Sequence, residues 1–359
     1  MRLLHISPSY HPHIGGVEYV VKSVAERLAR MGHEVTVLAG EPSIDKPVEE
    51  EVNNVSVTRW PVWSPNGAYH IPRRRSKLTE WLRRNSRNVD VIHFHSVHSV
   101  LPVYSLNVLK DVDVWKVFTP YYHGTGHTVF RRFLWVSWRY FVKRLLRYVN
   151  VVHTVSKLEA ELVERDFCIK ALPIENGVDE WVLSVSWSPR GYVMYSGRIE
   201  RYKNIHRLGS VVRILNRVYG LDLELKVFGR GPYRESLRRY LEGLGIRFSL
   251  EEPQPFEKYI ENLSQASLFG LLSEKESYPQ SVNEANAIGV PVAVAEPWGR
   301  NFSGRSRTLI VSLNESDEAI AKKIADFLHN APREPRPVVP SWSEVTSIYL
   351  ERLYKENYR

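Results

Sequence analysis

Two carboxylates with seven residues between them, Glu276 and Glu284, stand in a segment whose pattern runs strand, loop, helix, strand: Ser273-Glu274-Lys275-Glu276-Ser277-Tyr278-Pro279-Gln280-Ser281-Val282-Asn283-Glu284-Ala285-Asn286-Ala287-Ile288-Gly289-Val290-Pro291-Val292. The spacing predicts Glu276 on the loop and Glu284 on a helix that starts near Ser281 and ends at Gly289. A helix-borne carboxylate can accept both hydroxyls of a ribose, while free amides at a helix N-terminus favour phosphate. Ser196-Gly197-Arg198 closes another strand, and Lys203 follows five residues after the arginine. A guanidinium fork and an ammonium at a strand end make a clamp for a leaving diphosphate, although two surface cations give the same pattern. Gly15-Gly16 lies between the first strand and the first helix, where glycine lets the backbone approach an anion; an ordinary pair of loop glycines also fits. There is no full GxGxxG, so a dinucleotide site is not indicated.

Two further groups have metal-like spacing. Asp111-Val112-Asp113 sits between a helix and the strand starting at Trp115 and reads as a solvated turn. His93-Phe94-His95-Ser96-Val97-His98 places His93 and His95 on one face of a buried strand with no acidic ligand after them. They read as loop or core histidines, and no metal is expected.

The elements that must position these residues alternate. Leu3–Ser7 reads as a strand; Val17, Val20, Val21, Val24, Leu28 and Met31 then follow helical spacing up to Gly32. Strand-like runs recur at 35–39, 55–57, 89–94, 115–119 and 151–154, with helix-like stretches at 131–148 and 157–165 among those between them. The pattern lapses around 181–191 and restarts with a strand at 192–195 and a helix at 204–219. Strands at 223–228, 246–250, 267–272, 290–295 and 308–311 follow, then a helix at 317–329 and the prolines 332, 335, 337 and 340. Ser341 and Glu344 have capping-box spacing for a terminal helix. Alternation of this kind means α/β architecture, with two doubly wound, Rossmann-like sheets facing across a cleft that receives ligands at the carboxyl ends of the strands. The expected division is a first domain over 1–180, a second domain over 181–335, and a terminal helix over 336–359 that crosses back to the first domain.

The composition agrees with two domains. The chain has 359 residues, 43% of them hydrophobic, enough apolar surface to argue against disorder. Its one cysteine, Cys168, excludes an internal disulfide. No run of eighteen apolar residues occurs, and Met1–Ser7 turns polar too soon for a signal peptide, so a cytoplasmic chain is expected. The net charge of +9 is unevenly spread: residues 59–147 hold 16 Lys and Arg against 4 Asp and Glu, and the rest holds 33 against 36. Within that basic quarter lie Arg73-Arg74-Arg75-Ser76-Lys77 and the aromatic, basic run Arg131–Arg147. Such a segment suits a polyanion or the headgroups of an anionic membrane, or is a solvated face with its aromatics packed inward.

Taken in order, Gly15-Gly16, Asn176-Gly177-Val178-Asp179, Gly197-Arg198 with Lys203, Phe228-Gly229-Arg230-Gly231-Pro232, and Glu276-x7-Glu284 with Gly289 and Pro291 resemble glycosyltransferase family 4, the retaining nucleotide-sugar enzymes of GT-B fold. The resemblance implies a hexosyl donor linked to UDP or GDP, a nucleotide-sugar-binding domain over 181–335, an acceptor-binding domain over 1–180, and no required cofactor. It places the Gly16 amide near the donor phosphate, Arg198 and Lys203 on the diphosphate, Glu284 on the ribose and Glu276 near the sugar. A Gly-Phe-Gly-like stretch usually follows the first glutamate; here Ser277-Tyr278-Pro279 stands instead, and Pro279 has no N–H. The corresponding contact falls to Tyr278, Gln280 or Ser281. The family's histidine near the reacting sugar falls on Tyr121 or His123; a loop imidazole before Gly124 can reach into the cleft, so His123 is the expected position.

Acceptors of such enzymes bind the first domain, so the basic segment suggests a lipid-linked or otherwise anionic acceptor, glycan or lipid, at the cytoplasmic membrane face. A sugar-nucleotide epimerase of the same fold is the alternative. A nucleic-acid-binding protein, suggested by the basic charge, leaves the phosphate and ribose motifs unexplained.

Overall fold

The β-branched runs form strands and the amphipathic stretches helices in the computed structural model. It describes residues 1–13, 15–124, 129–330 and 336–354, with the backbone alone for 66 and 129–134. The chain divides into two units, Met1–Asn176 joined by the segment from Trp342 onward, and Gly177–Ser341.

In the first unit the elements run β1 (Arg2–Ser7), α1 (Gly16–Arg30), β2 (Glu34–Glu41), β3 (Val48–Val52), β4 (Val55–Trp63), β5 (Ile71–Pro72), α2 (Arg75–Asn85), β6 (Val91–His95), α3 (Val100–Leu109), β7 (Trp115–Thr119), α4 (Val129–Leu145), β8 (Val151–Thr154), α5 (Lys157–Phe167) and β9 (Leu172–Pro173). The sheet order is β3-β4-β2-β1-β6-β7-β8-β9, with β5 on β4. Only β3 and β5 run antiparallel to their neighbour. The order reverses between β1 and β6, and the loop after β1 carries Gly15 and Gly16 to this switch point, where open α/β sheets receive ligands. The helical stripe predicted on α1 is buried at Val20, Val21, Val24 and Leu28, whereas Met31 is exposed. The terminal helix Trp342–Ile348 packs against α1: Trp342 is fully buried and meets the Tyr19 ring edge-on at 5.9 Å.

One face of this sheet is polar inside. Parallel register sets His5 of β1 beside His93 of β6, and His95 beside Thr119 of β7. His5 Nδ1 and His95 Nε2 are 3.0 Å apart. His93 reaches the Tyr354 hydroxyl at 2.8 Å and Thr119 Oγ1 at 2.7 Å, and Thr119 meets His153 Nδ1 at 2.8 Å. Burial pushes His5 and His153 down to about 4, and burial with neighbouring imidazoles holds His93 and His95 well below the usual histidine range. Groups depressed in the folded state stabilise it above their unfolded value of 6.5 and lose that contribution as pH falls toward 4. Glu159, raised by burial to about 8, works in the opposite sense, but four imidazoles outnumber it in this unit. The denaturant midpoint is therefore expected to fall between pH 6.5 and 4.5, with His5 and His153 each contributing on the order of 3 kcal/mol in full. A midpoint that stays flat down to pH 4.5 would contradict this.

The second unit runs β10 (Tyr192–Ser196), α6 (Ile205–Tyr219), β11 (Glu224–Phe228), α7 (Arg234–Leu244), β12 (Phe248–Glu251), α8 (Phe256–Ser264), β13 (Leu268–Leu271), α9 (Gln280–Ile288), β14 (Val292–Ala295), β15 (Thr308–Val311) and α10 (Asp317–Asn330). Its sheet is wholly parallel in the order β12-β11-β10-β13-β14-β15. The switch point lies between β10 and β13, the two strands whose ends carry Arg198 and Glu276.

Candidate functional site

Beyond β10 the chain passes Gly197 and Arg198, makes a 3-10 turn at Arg201–Lys203 and enters α6. Beyond β13 it passes Glu276 and enters α9. Adjacent parallel strands thus deliver Lys203 and Glu276 to one place, and Lys203 Nζ lies 2.5 Å from Glu276 Oε1. Both side chains are largely buried, at 12% and 17% exposure. Burial alone would lower the Lys203 ammonium, but the Glu276 charge, with Tyr202 behind it, outweighs that and holds it above its usual value. Arg198 is not part of this pair. It is 73% exposed and meets Glu200 at 2.7 Å, so its fork is accessible at the strand end.

Glu284 sits in the middle of α9, the helical position its spacing predicts, and is buried. Its Oε2 accepts a hydrogen bond from the Tyr259 hydroxyl at 2.8 Å. Burial raises its carboxyl to about 8; the Tyr259 hydrogen bond opposes this and the charge of Asp179 adds to it. Pro279 is the N-cap of α9, so its missing N–H falls just outside the helix, and the first-turn amides belong to Gln280 and Ser281. The Gln280 side chain donates to the Gly177 carbonyl at 2.7 Å, anchoring the helix start to the Asn176–Asp179 motif. Tyr278 is buried, its hydroxyl 3.1 Å from Asn283 Oδ1 and its ring against Phe302. Its side chain therefore braces α9, and so does that of Gln280. Neither Tyr259 nor Glu200 belongs to a sequence motif, and only the fold brings them to the carboxylate and the guanidinium.

In the first unit, α1 starts at Gly16 with an extended Gly15 as N-cap. A Cβ on Gly16 would meet nothing within 4 Å, whereas one on Gly15 would strike the Glu18 carboxylate, which Ser9 also holds. Gly16 is thus exposed, with open space where a side chain would stand. After β7, Tyr121 adopts left-handed backbone (φ 51) and is buried, its hydroxyl 3.4 Å from His95 Nδ1. Strain of this kind in a bulky residue persists only where the surroundings impose it. Glu159 does so here by accepting the Tyr122 N–H at 2.6 Å and the Val155 N–H at 2.9 Å. His123 is half-buried and stacks on His98 at 4.4 Å. Residues 125–128, His127 among them, lie outside the described residues.

Asp111 and Asp113 are exposed in their turn. Donor atoms of His5, His93 and His95 lie within 4.8 Å of one another, but His93 has both ring nitrogens engaged by Tyr354 and Thr119. The basic segment divides. Arg73 and Arg74 tie down the stretch at Ile44 and Asp45. On α4, Trp135 and Val142 are buried and Trp138 donates to the Val97 carbonyl, while Val136, Tyr140 and Phe141 are exposed, as is Arg144. The side chains of Arg131, Arg132, Phe133 and Leu134 lie outside the described residues. No helix among the described residues is long and apolar enough to cross a membrane.

Two family models match the chain in succession: Glycosyltransferase Family 4 over residues 14–181 and Glycosyl transferases group 1 over residues 186–338. The chain is 25% identical to the N-acetyl-alpha-D-glucosaminyl L-malate synthase of Bacillus anthracis over 80% of its length and 77% of that protein's. It is also 25% identical to a GDP-mannose-dependent alpha-mannosyltransferase of Mycolicibacterium smegmatis, over 83% and 80% of the two chains. Among solved structures, sucrose-phosphate synthase from Thermosynechococcus elongatus superposes with a TM-score of 0.73 at 17% identity, covering 99% of this chain and 96% of that one. Anabaena HepE in complex with UDP gives 0.71 at 14% identity, covering 99% and 98%.

Proposed function

Because the chain belongs to glycosyltransferase family 4 and has the GT-B fold, we propose that it moves a hexosyl group from a nucleoside-diphosphate sugar to an acceptor hydroxyl with retention at the anomeric carbon. The observation that carries this reading is the meeting of Lys203 and Glu276 at the switch point of the second sheet, with α9 presenting the Gln280 and Ser281 amides and Glu284 beside them. Lys203 and Arg198 neutralise the diphosphate as the bond from the anomeric carbon to its oxygen breaks. The acceptor oxygen bonds to that carbon from the same face, and its proton passes to the departing diphosphate. Glu284 takes the ribose hydroxyls, Glu276 holds Lys203 in place and faces the sugar, and His123 is the side chain proposed near the reacting sugar. Gly15 and Gly16 form an anion-approach loop of the first unit. Relatives described as GDP-mannose-dependent or solved with UDP support a nucleotide-linked donor. The match to transferase families favours transfer over epimerisation.

The test is incubation of the purified chain with UDP- and GDP-hexoses and a panel of hydroxyl acceptors. Nucleoside diphosphate release that requires acceptor, and a product that keeps the donor's anomeric configuration by NMR, are expected. Conversion of the donor to an isomeric sugar nucleotide without acceptor would contradict the proposal. For the acceptor we propose a lipid-linked or anionic molecule at a membrane surface, supported by the exposed Val136, Tyr140 and Phe141 beside basic residues on α4. Co-sedimentation with anionic vesicles, weakened by Tyr140→Ser with Phe141→Ser, is the expected result; binding indifferent to anionic lipid would refute it.

A further inference from the structure

The ribose-binding role proposed for Glu284 depends on a carboxylate that the fold buries at 5% exposure. Its single hydrogen-bond partner among the described residues is Tyr259, whose hydroxyl donates to Oε2 at 2.8 Å. Tyr259 is itself placed by packing. Its ring stacks on Phe256, one turn earlier on α8, at 6.1 Å, and Trp181 meets Phe256 edge-on at 5.6 Å. We infer that Tyr259 is a positioning residue of the nucleotide site: it fixes the Glu284 carboxyl in one rotamer, occupies Oε2 and leaves Oε1 for the ribose hydroxyls. The inference rests on the donor-site reading above.

The same hydrogen bond favours the ionised carboxyl. Of the groups on elements packed against α9, Tyr259 and Asp179 act on Glu284, the first favouring ionisation and the second opposing it, while β13 and β14 carry no titratable residue. A carboxylate accepting two ribose hydroxyls must be ionised, so nucleotide affinity should rise with pH, by up to about tenfold per unit, until it levels near pH 8. Without the Tyr259 hydroxyl the levelling point moves to higher pH, and affinity at pH 7 falls roughly tenfold.

Calorimetric titration of the full chain with the tightest binder among UDP, GDP and ADP, repeated from pH 6 to 9, tests this. Tyr259→Phe is expected to weaken the nucleotide at pH 7, to shift the pH profile upward and to leave inorganic pyrophosphate binding as it was. In a Glu284→Gln background, the same substitution should change nothing further, which separates positioning from general loss of packing. A Tyr259→Phe protein with unchanged affinity and pH profile overturns the inference while the donor site stands. So does an equal loss in both backgrounds. A wild-type chain that binds none of the nucleotides overturns both.

Discussion

Replacing Lys203 with alanine is expected to lower kcat/KM for sugar transfer by about 10²–10³, with the larger part of the loss in kcat. The ammonium is fixed before substrate arrives. It sits at 12% exposure against Glu276 and stays charged because that carboxylate more than offsets its burial. A charge so placed costs little reorganisation when negative charge grows on the departing diphosphate, and for that reason the loss should appear in the chemical step more than in binding. Removing it also leaves Glu276 without its cation in a largely buried position, costing about 1–2 kcal/mol of stability. Thermal unfolding run beside the kinetics separates this cost from the catalytic one. Lys203→Arg should not restore activity, because a planar fork cannot occupy the site of a point charge. A kcat/KM within threefold of wild type for Lys203→Ala would remove the residue from the catalytic account.

Gly231→Ala is expected to destabilise the second unit by about 2–3 kcal/mol and to abolish nucleotide binding with it. A Cβ at this position would come within 2.6 Å and 2.8 Å of the Ile199 carbonyl carbon and nitrogen, and closer still to its oxygen. Backbone cannot swing aside as a side chain can. Gly229 is similarly constrained: its φ is +153, and a Cβ would press on the Gly197 carbonyl. These two glycines let the loop after β11 lie directly against the segment carrying Arg198, joined by hydrogen bonds from Gly197 to Phe228 at 3.0 Å and from Ile199 to Arg230 at 2.8 Å. A side chain there displaces the guanidinium as well as straining the sheet. Gly243→Ala is the control. It lies within α7 with nothing within 4 Å of a built Cβ, and should stabilise by up to about 1 kcal/mol. Denaturant unfolding of both variants checks the contrast, and equal midpoints would contradict it.

The alternation of β-branched runs with amphipathic ones makes the two parallel sheets legible in the sequence, because strands buried on both faces and stripe-faced helices leave distinct periods. The edge strand β3 is not legible. Val48-Glu49-Glu50-Glu51-Val52 has little strand propensity, and its pairing with β4 is helped by Arg59, which reaches Glu50 at 2.6 Å. At the site, spacing places Glu276 on a loop and Glu284 on a helix, and the structure has them there. What spacing cannot convey is which partners arrive from elsewhere in the chain. Tyr259 lies 25 residues from Glu284 and Lys203 lies 73 from Glu276, and only strand order brings them together. The same holds for the imidazole layer. His93 and His95 were visible as residues of one strand face, but His5, His153 and Tyr354 join them only through sheet register and the returning terminal segment.

Titration of the purified chain with UDP, GDP and ADP in the absence of added metal tests the central claim most directly, with Arg198→Ala and Glu284→Ala measured in parallel. Binding of one nucleotide, weakened about tenfold or more by each substitution, is the predicted result. Binding of none of the three, or binding that neither substitution disturbs, would contradict a nucleotide-sugar site at the end of β10 and on α9.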